Sequence, residues 1–68
     1  MLEELWLLLQ ERNISQYRLS KDTGIPQSTI SEWRNGRQPN AEKLSVVADY
    51  LGVSVERILG KEIGQSVK

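Results

Sequence analysis

The stretch that decides the fold is Gln16-Tyr17-Arg18-Leu19-Ser20-Lys21-Asp22-Thr23-Gly24-Ile25-Pro26-Gln27-Ser28-Thr29-Ile30-Ser31-Glu32-Trp33. Its spacing predicts two short helices that meet at Gly24, where the missing side chain permits a sharp turn. Ser20, one turn earlier, is small, as the close approach of two crossing helices requires. Leu19, Ile25, Ile30 and Trp33 are the apolar residues that hold such a pair at a fixed angle. Between them lie Gln27, Ser28, Thr29, Ser31 and Glu32. Solvated helix faces normally carry Lys and Glu; short polar side chains and amides instead suit hydrogen bonding to base edges. The helix N-terminus itself favours phosphate oxygens.

Helix boundaries on either side are marked by caps and stops. A first helix is predicted from Leu2 to Arg12, with Leu2, Leu5, Trp6 and Leu9 on one stripe and Leu7 and Leu8 widening it. Asn13 tolerates a left-handed backbone and suits its end. Ser15 caps the second helix. Ile25-Pro26 opens the third with Pro26 in its first turn, where a missing amide costs nothing. Asn35-Gly36 stops that helix. Asn40 caps a fourth helix whose core stripe is Leu44, Val47, Ala48 and Leu51, and Gly52 ends it. Ser54 caps a short fifth containing Val55, Ile58 and Leu59. No segment alternates like a strand.

The composition narrows the function further. The chain has 68 residues, nine Lys plus Arg, nine Asp plus Glu, and neither Cys nor His. That excludes zinc or disulfide staples, a thiol nucleophile and an imidazole base. A single helical domain is expected, burying roughly 60% of the surface its unfolded chain exposes. The longest apolar run, Leu5 to Leu9, is too short to span a membrane. Glu3 and Glu4 sit where a secretory signal would carry positive charge. The chain therefore reads as a complete intracellular domain with no cofactor, metal, membrane partner or small-molecule substrate, and not as an enzyme.

The run from Ile14 to Gly36 resembles the helix-turn-helix of the lambda-repressor-like, Cro/CI-type (Xre) regulators. The resemblance continues through Leu44-Ser45-Val46-Val47-Ala48-Asp49-Tyr50-Leu51-Gly52-Val53-Ser54 and covers about residues 5–59. It implies an all-α, compact four- to five-helix DNA-binding domain over residues 1–60, with the motif at about 16–34. Residues 61–68 are then a C-terminal tail, either a dimerisation element or disordered. The partner it implies is a double-stranded DNA operator, bound by a homodimer with helix three in the major groove. Gln16 matches the family's Gln that contacts a phosphate and braces the recognition helix. Gln27, Ser28 and Glu32 match positions facing base edges, with Thr29 also at the groove. Asn35 and Arg37 match loop groups that hold the next phosphates. The function implied is a sequence-specific transcriptional regulator, a repressor, in the cytoplasm of a prokaryote or acting for a phage.

Two positions depart from the family pattern. Where many members pair an Arg in helix one with a Glu after the recognition helix, this chain has Leu9 and Arg34. Both partners change together, so apolar packing is expected to replace the ion pair, leaving Arg34 to face DNA or solvent. Pro26 stands where a capping Ser or Thr is common.

Several residues carry a plainer reading beside the functional one. Trp33 falls on the apolar spacing and reads as core. Tyr17 on an outer face serves a phosphate contact or none. Glu32 accepts from a cytosine amino group, or pairs with a neighbouring Arg. Trp6 and Leu7 make helix one more apolar than one core face needs, which fits scattered exposure or a partner surface. Leu59, Ile63 and Val67 form a second apolar stripe, the favoured dimer contact. The rival to a DNA regulator is a protein-interaction module of antitoxin or antirepressor type, using the same fold.

The zero net charge divides unevenly. Residues 1–11 carry Glu3, Glu4 and Glu11, a charge of −3. Residues 12–40 carry Arg12, Arg18, Lys21, Arg34 and Arg37 against Asp22 and Glu32, a charge of +3. The remainder cancels. A basic motif beside an acidic helix one predicts weak non-specific affinity and heavy reliance on base contacts.

Overall fold

Three of the five helices among the described residues begin on a side chain that takes up an orphan amide. In a computed structural model that describes residues 2–60, the Ser15 hydroxyl accepts from the Arg18 amide at 3.0 Å. Asn40 Oδ1 accepts from Lys43 N at 2.8 Å, and Ser54 Oγ from Arg57 N at 3.1 Å. The helices so delimited are α1 (Glu3–Glu11), α2 (Gln16–Thr23), α3 (Gln27–Arg34), α4 (Ala41–Leu51) and α5 (Val55–Leu59). No strand occurs among the described residues. The tail stripe of Ile63 and Val67 lies outside them.

The stops follow the same local chemistry. Asn13 takes the left-handed conformation at φ 57° after α1, and Ile14 N reaches back to Leu9 O at 2.8 Å. At Gly24 (φ 81°) the amide donates to Ser20 O at 2.9 Å, which ends α2 in a single left-handed residue. Thr23 clips the same turn: its hydroxyl donates to Leu19 O at 2.6 Å and accepts from Ile25 N at 3.3 Å.

One boundary differs from expectation. Pro26 is the N-cap of α3, not a residue of its first turn. The pyrrolidine ring fixes φ but leaves ψ free; here ψ is 145°, extended, so helical geometry starts at Gln27. The Pro26 carbonyl still accepts from Thr29 N at 3.0 Å and Ile30 N at 3.2 Å.

Each helix contributes one side chain with no exposed surface: Leu5, Leu19, Ile30, Val47 and Ile58, all at 0%. Around them close Leu8, Leu9, Ile25, Trp33, Leu44, Ala48 and Leu51, also buried. α1 packs on α5, α5 on α4, α4 on α2, and α2 on α3. The pair α2–α3 is thereby anchored to the rest of the bundle through α4. Two polar ties reinforce the frame. The Arg12 guanidinium donates to Leu51 O, and Arg57 faces Glu4 at 3.8 Å between α5 and α1.

Candidate nucleic-acid interface

α3 is only eight residues long, so its two sides are easily separated. Ile30 and Trp33 point inward, with Trp33 only 2% exposed. At 3.6 residues per turn, the stripe opposite them is Ser28, Glu32 and Asn35, spaced i, i+4, i+7. All three are exposed. Gln27 and Ser31, also exposed, form the neighbouring edge; Thr29 is half-buried on the other edge beside Trp33. The expected contact residues of α3 are thus brought onto one outward surface, with Thr29 at its margin.

Gln16 stands at the first turn of α2, placed there by the Ser15 cap. Its Nε2 donates to Ser31 Oγ at 2.8 Å across the two helices. The group that Gln16 holds on α3 is thus Ser31, which no local pattern marks because the partners are separated by 15 residues.

The exit of α3 is equally constrained. Gly36 adopts φ 102°, Gly36 N donates to Trp33 O at 3.0 Å, and Arg37 N donates to Glu32 O at 2.9 Å. This paired closure is a Schellman motif, which needs a left-handed residue at Gly36. It fixes the backbone of exposed Arg37 just past the outward stripe. Glu32 makes no ion pair among the described residues, so the plain reading of an Arg-paired Glu32 finds no support. Tyr17 is 60% exposed.

The altered ion-pair positions resolve in two different ways. Leu9 is buried in the core, as apolar replacement requires. Arg34 does not pack as an apolar group. Its guanidinium lies over the Trp6 ring, 4.5 Å from the centroid, and so joins the last turn of α3 to α1.

Behind α2, a small polar cluster supports the frame. The Tyr50 hydroxyl donates to Asp22 Oδ2 at 2.5 Å, and Arg18 Nε faces the same oxygen at 3.3 Å. The Tyr50 hydrogen bond, ahead of Arg18, holds the Asp22 carboxyl below the ordinary carboxylate range. The same bond pushes the Tyr50 phenol above its ordinary value, since the proton is shared with an anion. Among the described residues no group of His, Cys, Asp or Glu is arranged to hold a metal ion. No helix among them is long and apolar enough to cross a membrane.

Two helices crossing at a left-handed glycine, the second braced and polar outward, agree with a comparison against known families. A model of the Cro/C1-type HTH DNA-binding domain matches residues 4–62. The chain belongs to this family. No curated protein and no solved structure gives a match. As a Cro/C1-type HTH domain the chain is a DNA-binding module, and the match runs through α1 to α5.

Proposed function

We propose that this Cro/C1-type domain is a sequence-specific transcriptional regulator that represses by occluding a promoter, with α3 inserted in the major groove. The observation that carries the reading is the outward surface of α3, which is polar, has no ion pair at Glu32 among the described residues, and is held in orientation by the Gln16–Ser31 bond. Gln27, Ser28, Thr29 and Glu32 read base edges; Gln16, Asn35 and Arg37 position the domain on phosphates. A lone α3 makes few contacts, so two copies on half-sites about one helical turn apart supply useful affinity. The protein acts in the cytoplasm, where its operator lies.

Selection of bound duplexes from a random library tests this. Recovery of a two-fold symmetric site supports a dimeric reader, and a pool no different from the input overturns it. The second reading, a protein-interaction module, is favoured by one feature: Leu7, on the side of α1 away from the core, is 50% exposed. Weak, salt-independent retention on heparin would favour that reading over DNA binding.

A further inference from the structure

Arg34 occupies an unusual position for a cation in this molecule. It follows Gln27 and Ser31 at i+7 and i+3, so its side chain leaves α3 along the edge that Gln16 braces. That edge flanks the outward stripe, where the sugar–phosphate strand bordering a groove would run. Arg34 makes no ion pair among the described residues, although three carboxylates lie on α1. Instead its guanidinium carbon lies over the Trp6 ring, 4.5 Å from the centroid.

Stacking and anion binding use different parts of the guanidinium. The ring quadrupole engages the flat face, whereas the five N–H donors point outward in the plane. A stacked Arg therefore keeps its whole hydrogen-bonding edge and has already lost much of its rotamer freedom. Trp6 is itself fixed, since it is half-buried and packed against the core from α1.

We propose that Arg34 is a phosphate-contacting residue of this domain and that Trp6 is the platform that positions it. The proposal deepens the DNA-binding reading and rests on it. It gives the surplus apolar surface of α1 a use: the ring aims a cation that α3 alone would leave swinging in solvent. It also adds one positive contact to an interface whose net charge is small.

The test is a double-mutant cycle on the full chain with Arg34→Ala, Trp6→Leu and both together. Affinity for a mixed-sequence duplex is measured by fluorescence anisotropy across a salt series, at a temperature where circular dichroism shows each variant folded. Arg34→Ala is expected to weaken binding roughly two- to tenfold, what one net hydrogen bond is worth. It should also flatten the slope of log K against log salt by about 0.9, one released counterion. Trp6→Leu is expected to weaken binding only while Arg34 is present; in the Arg34→Ala background it should add nothing. Arg34→Lys, which keeps the charge but loses the flat face and the fork, should restore the slope without restoring the full affinity.

An unchanged salt slope in Arg34→Ala overturns the phosphate contact, whether or not Trp6→Leu folds. Equal losses from Trp6→Leu in both backgrounds overturn the platform role and leave Trp6 as packing alone. Failure of the unaltered protein to bind any duplex is a different result, and removes the DNA-binding reading itself.

Discussion

The Tyr50 hydroxyl donates to Asp22 Oδ2 at 2.5 Å, joining α4 to the last turn of α2 across 28 residues of sequence. Both groups are shifted by this bond, Asp22 downward and Tyr50 upward. The two shifts define a pH window. A depressed carboxyl stabilises the fold above its unfolded value, about 3.9, and that contribution disappears as pH falls through the lower folded value. A raised phenol stabilises below its unfolded value, about 10, and that contribution disappears as pH rises through the higher folded value. Tyr50→Phe is therefore expected to lower Tm near neutral pH and to matter less in strong acid or strong alkali. Thermal melts of both proteins at acidic, neutral and alkaline pH check this; a difference independent of pH would contradict it.

Gly24 sets the angle between α2 and α3 at φ 81°, and a Cβ there would meet nothing within 4 Å. The cost of a side chain is then backbone strain alone. Gly24→Ala should destabilise by about 1–2 kcal/mol, the penalty for an ordinary residue in the left-handed region. Gly24→Asn should cost less, because Asn tolerates that conformation. Urea unfolding of the three proteins gives the ranking, and an Asn variant worse than Ala would point to a clash instead.

The Gln16–Ser31 bond lies on the surface and should contribute little to stability but much to the pose of α3. Gln16→Ala is expected to leave Tm within a few degrees and to weaken operator binding by roughly fivefold or more, losing both a brace and a phosphate contact. Ser31→Ala removes only the brace and should show a smaller loss. Titrations of both variants on the selected operator decide the order.

Gln27 and Arg37 should separate base reading from phosphate holding. Gln27→Ala is expected to lose about 1–3 kcal/mol of discrimination against a mutated operator while non-specific affinity stays nearly unchanged. Arg37→Ala should weaken all sequences and reduce the salt slope by about 0.9. Parallel mobility-shift titrations on operator and unrelated DNA distinguish them; equal losses on both DNAs from Gln27→Ala would remove its base-reading role.

The helices and most of their ends follow from short-range chemistry. Ser15, Asn40 and Ser54 act on amides three residues away, and Asn13 and Gly24 relieve strain in their own backbone, so their chemistry is contained in a few consecutive residues. The apolar stripes were equally legible: Leu5, Leu19, Ile30, Val47 and Ile58 fall on helical spacing and are fully buried. Gln16 and the polar face of α3 were visible too, because amide and hydroxyl residues between core positions are chemically conspicuous.

Which distant groups meet depends on how the helices pack. Ser31 as the group held by Gln16, Asp22 as the acceptor for Tyr50, and Trp6 beneath Arg34 all join different helices. Pro26 belongs with these, because its ψ depends on how the chain leaves Gly24 and its ring constrains only φ. The reason is common to all four. Local preferences are fixed by neighbours along the chain, whereas a side-chain partner is fixed by the angle at which two helices cross. That angle is set by the packing of the buried side chains of all these helices together, and no single segment contains it.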